Sequence, residues 1–410
     1  MNLLMLGRWL PPPRRPVRST REYHLARRLA RSHRLTLAFV TDNPDAGGLI
    51  SSLRAEFGDL EFAAVPRGWK SLTSALRLVG GESCTLSYAR SEALQRRLTD
   101  RLKTTAYDLV CVTSSSMIPY ALEIDPTIPM VVDFGDVESE WWLYQAARGV
   151  FPGTRFFRTE AARLRLAEAA AAQRAVRCFA ATDKAADVVR SLEPKGSVSV
   201  VPDGIDLDFF APAGRVIGKT PTVIYNASLT DDEEVGEIRE FCAGPLRAIR
   251  AGIPDVRFIV TGGVRAVGGL PGVEVVAPMS DVRPFLHSHA VAVSPLRVSG
   301  GAHRAVLEPM AASVPVVTST KGCEQLKARA GRDVLVADDP ASFARQVIRL
   351  LEEAPLRQEL GESGRRFVEG SFSWEVLCAR LVEGIEEVLR AGGPPPATKS
   401  SGVIAAGLTS

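Results

Sequence analysis

A glycine pair, Gly300-Gly301, opens a stretch that reads as a helix running to Ala312. One carboxylate, Glu308, sits on its first turns, and a β-branched run around Val314–Thr318 follows at once. Free N–H groups at a helix N-terminus, together with the helix dipole, bind phosphate without a metal. Glycines remove the Cβ atoms that would hold such a ligand off the backbone. A carboxylate a little further on can accept hydrogen bonds from a sugar or ribose diol. The same pattern also suits an ordinary α/β crossover turn, or a glutamate that merely complements the dipole, and on local grounds the readings stand level.

Other residues could do chemistry. Asp133 and Asp136 follow the apolar run Met130–Phe134, where ligands of open α/β sheets gather, although Asp136 would equally suit the cap of a helix starting near Val137. Residues 1–34 hold nine arginines against one acid, Glu22, and the segment 20–31 carries Arg21, Tyr23 and His24. That density fits an anionic partner or a solvated helix face alike. His287 and His289 read as packing or surface residues. Two acid pairs, Asp231-Asp232 and Asp338-Asp339, lack further ligands and make poor metal sites, while Asp339-Pro340 reads as a helix start.

These residues need elements to hold them. Short apolar runs at 2–6, 35–40, 61–65, 109–113, 130–134, 178–181, 198–201, 223–226, 257–261, 273–276, 290–294 and 314–318 predict parallel strands buried on both faces. Helical patterns lie between them, including 20–31, 91–103, 154–176, 235–251 and 340–353. Such alternation predicts a doubly wound α/β architecture. It breaks after Val201 at Pro202-Asp203-Gly204, passes the unpatterned 211–220, and restarts at Val223. With 410 residues, two Rossmann-like domains are the economical expectation. Their bounds are 1–205 and 206–370, followed by a C-terminal helix over 371–390 expected to pack towards the first domain, and a disordered tail over 391–410. A net charge of +3 argues against a dedicated nucleic-acid binder. The six dispersed cysteines read as buried reduced thiols, and no apolar run has the length of a membrane span, so the expectation is a cytoplasmic protein.

Four ordered stretches carry a family resemblance. They are Val131–Trp142 (with Asp133-Phe134-Gly135-Asp136), Val200–Asp206 with Phe209 and Phe210, Pro295–Val317, and Gly331-Arg332-Asp333 continuing to Phe372-Ser373-Trp374. Together they resemble glycosyltransferase family four, most closely the sugar transferases associated with exopolysaccharide and PEP-CTERM systems. The resemblance implies the GT-B fold, two Rossmann-like domains facing a cleft, an N-terminal acceptor domain and a C-terminal donor domain. It implies a retaining, metal-independent transfer from a nucleotide-sugar, which serves as co-substrate, to a glycan or lipid-linked acceptor, with no further cofactor. Gly300, Gly301, Ala302, His303 and Arg304 would face the diphosphate, aided by Gly263 and Arg265. Glu308 would hold the ribose. Asp133 or Asp136 would orient an acceptor hydroxyl or stabilise an oxocarbenium-like transition state. Arg21, Tyr23 and His24, similar to the family's Arg-x-Tyr-His, would contact the acceptor together with Arg18, with peripheral contact to an anionic membrane surface.

The chain also departs from the family. Ala305 stands where a diphosphate-contacting lysine is usual, and Gly300 where many members carry a second glutamate. Asn226-Ala227-Ser228, leading into the acids at 231–234, replaces a glycine-bearing loop. Arg14-Arg15-Pro16 replaces N-terminal glycines. These departures leave a second reading, a catalytically degenerate relative that binds a glycan or partner. An epimerase of related shape lacks supporting residues, and no Gly-x-Gly-x-x-Gly follows the first strand as an NAD enzyme would require.

Overall fold

The computed structural model describes residues 1–8, 21–41, 46–65, 81–149, 153–211, 220–226, 232–261, 269–276, 282–286, 290–295 and 302–391. The backbone divides into two compact units. One holds the described residues up to Asp203 and those from Leu377, and the other runs Gly204–Val376.

The first unit contains a seven-stranded sheet of β1 (Asn2–Gly7), β2 (Arg34–Thr41), β3 (Asp59–Ala64), β4 (Leu109–Val112), β5 (Met130–Gly135), β6 (Arg177–Ala180) and β7 (Val198–Val200), in the order β3-β2-β1-β4-β5-β6-β7. The second contains a six-stranded sheet of β8 (Thr222–Asn226), β9 (Arg257–Thr261), β10 (Val273–Val276), β11 (Ala290–Ser294), β12 (Val316–Thr318) and β13 (Leu335–Val336), in the order β10-β9-β8-β11-β12-β13. Every recorded pairing is parallel. Chain order reverses between β1 and β4 in one sheet and between β8 and β11 in the other. Those two places are the switch points where such sheets open a crevice at their carboxyl ends.

Continuous apolar strands are explained by two-sided burial. In the second unit Val223 and Tyr225 join one core with Phe258, Val260, Val291 and Val293, whereas Ile224 joins another with Ile259, Ala290 and Ala292. The period-two alternation thus feeds two helical layers instead of one core and solvent.

Three local expectations are corrected. The helix expected over 235–251 is two, Asp232–Ala243 and Pro245–Gly252, because Pro245 has no N–H to continue the ladder. The strand expected from Val314 starts at Val316, after Ser313 at φ 56° and a proline. Asp136 does not cap the helix Glu138–Ala147. Its N-cap is Val137, which makes no side-chain cap bond. By contrast Asp339 does start the helix Pro340–Glu352, its Oδ1 accepting from the N–H groups of Ala341 and Ser342. All six cysteines are free, but Cys84 and Cys242 are only half-buried. Burial pushes the Cys84 thiol to about 12 and the Cys242 thiol to about 11, far from nucleophilic readiness.

The chain crosses between the units at Asp203/Gly204 and at Val376/Leu377. Inside the second unit these two crossings lie side by side. Ile205 N–H donates to the Phe372 carbonyl at 2.7 Å, and Ile205 forms a parallel bridge with Ser373. Gly204 is required there, since a Cβ would come 2.5 Å from the buried Trp374 ring. The helix Trp374–Ala391 then buries Leu377, Cys378, Leu381 and Ile385.

Candidate functional site

In the second unit, β8 and β9 run in register until their last residues, Asn226 and Thr261, stand opposite each other. Both are polar residues that close the buried runs Val223–Tyr225 and Phe258–Val260, and both are nearly fully buried. The helix Ala302–Ala311 follows β11 across the switch point and brings Glu308 to them. Asn226 Nδ2 donates to Glu308 Oε2 at 2.6 Å, and Thr261 Oγ1 donates to Asn226 Oδ1 at 2.8 Å. Burial raises the Glu308 pKa, opposed by the Asn226 hydrogen bond and by Arg304 one turn earlier. Arg304 is exposed while Ala305 is buried, so the two point to different faces of the helix. The basic group at 304 therefore does not substitute in place for a side chain at 305. Gly300, Gly301, Gly263 and Arg265 lie outside the described residues, as do the loops 227–230 and 287–289. Ala302 and His303 are described only as the first residues of the helix.

In the first unit, the aspartate and arginine singled out separately meet each other. Arg21 Nε donates to Asp133 Oδ2 at 2.6 Å, and its Nη1 donates to the carbonyls of Val201 at 2.5 Å and Pro202 at 3.1 Å. Asp203 lies 3.6 Å from the same nitrogen. Arg21 is 8% exposed and Asp133 3%, so this is a buried pair on the carboxyl side of β5 and β7. Burial alone would lower the Arg21 pKa, but the charge and hydrogen bond of Asp133 outweigh it and raise it above the ordinary value. Arg21 Nη2, equally buried, has no hydrogen-bond partner among the described residues. Asp136 is exposed at the end of the same strand, its pKa raised by desolvation and then by Asp203. Tyr23 turns inward. Its hydroxyl donates to Glu56 at 2.9 Å, and its ring meets His24 and Phe57 edge-on. Arg18 lies outside the described residues.

Sequence reasoning missed a second polar group, at the β1/β4 switch point. Glu138 accepts from Ser114 Oγ at 2.8 Å and Ser115 N at 3.1 Å, with Arg8 at 3.9 Å. Beneath it the helix Thr154–Arg174 carries two buried carboxylates. Glu160 accepts from Ser83 Oγ, Cys84 N and Thr85 N, and Glu168 accepts from Ser115 Oγ and Ser139 N. The signal was present. Glu160 and Glu168 share the face of Phe157, Ala161, Leu164 and Ala171, a stripe that an exposed acid would avoid.

Glu168 Oε2 has no partner among the described residues, and desolvation raises the pKa of this fully buried group. The sign follows. A raised folded pKa means the native state binds the extra proton, so stability falls as pH rises from the ordinary glutamate value near 4.3 through the raised one. Glu168→Gln is therefore expected to raise Tm at pH 7, by about 2–4 °C per kcal/mol recovered, with the gain vanishing towards pH 4. Calorimetry of both proteins across pH 4–8 checks it, and an unchanged or lowered Tm at pH 7 refutes it.

Two doubly wound sheets, each with a polar cluster at its switch point, define the GT-B fold, and solved structures of that fold match over nearly the whole chain. Residues 221–353, the segment holding Asn226, Thr261 and Glu308, match the family model described as glycosyl transferases group 1. Among solved structures, a sucrose-phosphate synthase from Thermosynechococcus elongatus aligns with a TM-score of 0.61 at 15% identity, covering 95% of this chain and 99% of that one. A glycosyltransferase from Rickettsia africae gives 0.57 at 13%, covering 95% and 98%. Anabaena HepE, solved with UDP and glucose, gives 0.54 at 13%, covering 94% and 100%. No curated protein sequence matches the chain. The family match and the fold together support a transferase. Among the described residues no helix is long and apolar enough to cross a membrane, and no three acidic, histidine or cysteine side chains gather as a metal site.

Proposed function

We propose that the protein transfers a sugar from a nucleotide-sugar to a glycan or lipid-linked acceptor, with retention and without a metal, in exopolysaccharide or related glycan assembly. The observation that carries this reading is Glu308, held by Asn226 at a switch point inside the segment that matches the glycosyl transferase model. In this reading Glu308 accepts hydrogen bonds from the nucleotide ribose. The N–H groups of Gly300 to His303 meet the diphosphate. As the diphosphate departs, charge grows on it, and preorganised N–H donors with the helix dipole stabilise that charge more than they stabilise the bound donor. Arg304 adds a positive charge near the same helix end, and Gly263 and Arg265 complete the contacts to the diphosphate in this reading.

Asp136 is the acid best suited to an acceptor hydroxyl, since it is exposed and its pKa is raised, both of which favour proton exchange. Asp133 then acts by holding Arg21. Arg21 is taken up by Asp133; the other arginines of the first 34 residues supply contact with an acceptor diphosphate or an anionic leaflet, each contributing about 1 kcal/mol near the surface.

One observation favours a second reading. Ala305 is buried, and no basic group reaches from that position. A chain that had lost transfer would still bind the nucleotide.

The test is a thermal-shift screen with UDP, GDP and their sugars, then turnover with the donor that binds. A nucleotide at ten times its Kd stabilises by about 1.4 kcal/mol. Glu308→Ala is expected to abolish that shift. No shift with any nucleotide refutes the donor reading, and binding without turnover on glycan or lipid-linked acceptors favours the second. Activity surviving EDTA, and an α-product from an α-donor by NMR, test metal independence and retention.

A further inference from the structure

We propose that Asn226 is a positioning residue for Glu308, and that the Thr261–Asn226–Glu308 chain makes the site prefer a ribose to a 2′-deoxyribose nucleotide. The proposal rests on the ribose reading of Glu308 given above. Its basis is that the hydrogen-bond chain has only one direction. Where the carboxylate is ionised it accepts and cannot donate, so the amide nitrogen of Asn226 faces Glu308 Oε2 across 2.6 Å. A flipped amide would set oxygen against oxygen at that distance. With nitrogen towards Glu308, the amide oxygen faces Thr261, whose hydroxyl donates at 2.8 Å. Thr261 thereby fixes the flip, and the parallel register of β8 with β9 fixes Thr261.

Three elements thus hold one carboxylate oxygen, while no described residue takes Oε1. A glutamate on a helix has three rotatable side-chain bonds, and ordering them on binding would cost affinity. Here part of that ordering is done beforehand, because the amide anchors Oε2. Oε1, with the remaining lone pair of Oε2, is presented to a diol at a set angle. A ribose offers two hydroxyl donors to this acceptor pair and a 2′-deoxyribose one. Removing a donor from a buried, pre-oriented carboxylate leaves an acceptor unmet. A carboxylate free to rotate could turn towards the single hydroxyl and would discriminate less.

Titration calorimetry with the full chain tests this, using UDP against dUDP and GDP against dGDP. Wild type is expected to bind the ribonucleotide about tenfold tighter or more, a hydrogen bond to a charged group being of that size. Asn226→Ala and Thr261→Val should bring the ratio towards one without weakening the deoxy form. Thr261→Ser, which keeps the hydroxyl, should restore the ratio. If Glu308→Gln removes the preference and Asn226→Ala keeps it, the positioning role is overturned while the ribose reading stands. If wild type shows no preference, or Glu308→Gln retains it, the ribose reading falls and this proposal with it. Should Asn226→Ala fail to fold, as judged by circular dichroism, the Thr261→Val and Thr261→Ser pair decides.

Discussion

Asp133→Ala is expected to cost the first unit about 3–5 kcal/mol, because it leaves the Arg21 guanidinium charged, buried and unpaired. Arg21 cannot escape by losing its proton, since its pKa is raised even above the ordinary arginine value. It cannot turn to solvent cheaply either, for Nη1 is tied to the carbonyls of Val201 and Pro202. The double replacement Arg21→Met with Asp133→Leu removes both charges and should recover most of the loss, as swapping a buried ion pair for apolar groups is often neutral. Urea denaturation of the two single variants and the double gives the coupling. Singles that each cost under 1 kcal/mol would show that the pair carries no such burden. The same pair decides what Asp133 can do in a reaction. A carboxylate whose Oδ2 is fixed by a guanidinium and whose Oδ1 faces the Gly135 N–H is poorly placed to take a proton.

Gly361→Ala should also destabilise, against the usual direction. In the interior of the helix Ala354–Ser371 a glycine ordinarily costs up to about 1 kcal/mol relative to alanine. At 361, however, a Cβ would run into the carbonyl oxygen of Ser313, with the Ser313 carbonyl carbon at 3.0 Å. Both neighbours are backbone, and Ser313 is itself held at φ 56°, so neither side gives way. Overpacking of this kind costs about 1–3 kcal/mol, enough to reverse the propensity gain. Gly370 on the same helix is the control. Nothing lies within 4 Å of a Cβ there, so Gly370→Ala should be neutral or stabilising. Equal effects of the two substitutions on the denaturation midpoint would defeat the argument.

Much of the fold was legible because it rests on local periodicity. Apolar runs named twelve of the strands, and β13 escaped because two residues, Leu335 and Val336, make no period. Helix starts with side-chain chemistry were legible too, as at Asp339. What stayed hidden depends on pairing across long separations. Arg21 and Asp133 are 112 residues apart, so each read as a free functional group until the fold showed them neutralising one another. Asn226 read as part of an unfavourable loop, since only the β8–β9 register and the β11 crossover show that it supports Glu308. The burial of Glu160 and Glu168 could be read from the apolar stripe they share, but their partners could not, being backbone N–H groups and serine hydroxyls, which carry no sequence signature of their own.

The doubled crossing at Gly204 and Trp374 has a consequence for how the molecule is made. The first unit is interrupted, and its last helix, from Leu377, emerges from the ribosome only after the whole second unit. Until then the face that Gly384 presses against, around Phe179, stays bare. Synthesis proceeds at about 5–20 residues per second, so that apolar surface is exposed for many seconds, the interval in which nascent chains associate wrongly. The second unit can close meanwhile, its two ends bonded through Ile205 and Phe372. Weakening that junction would therefore show first as poor yield of newly made protein, before any loss in the protein that had matured.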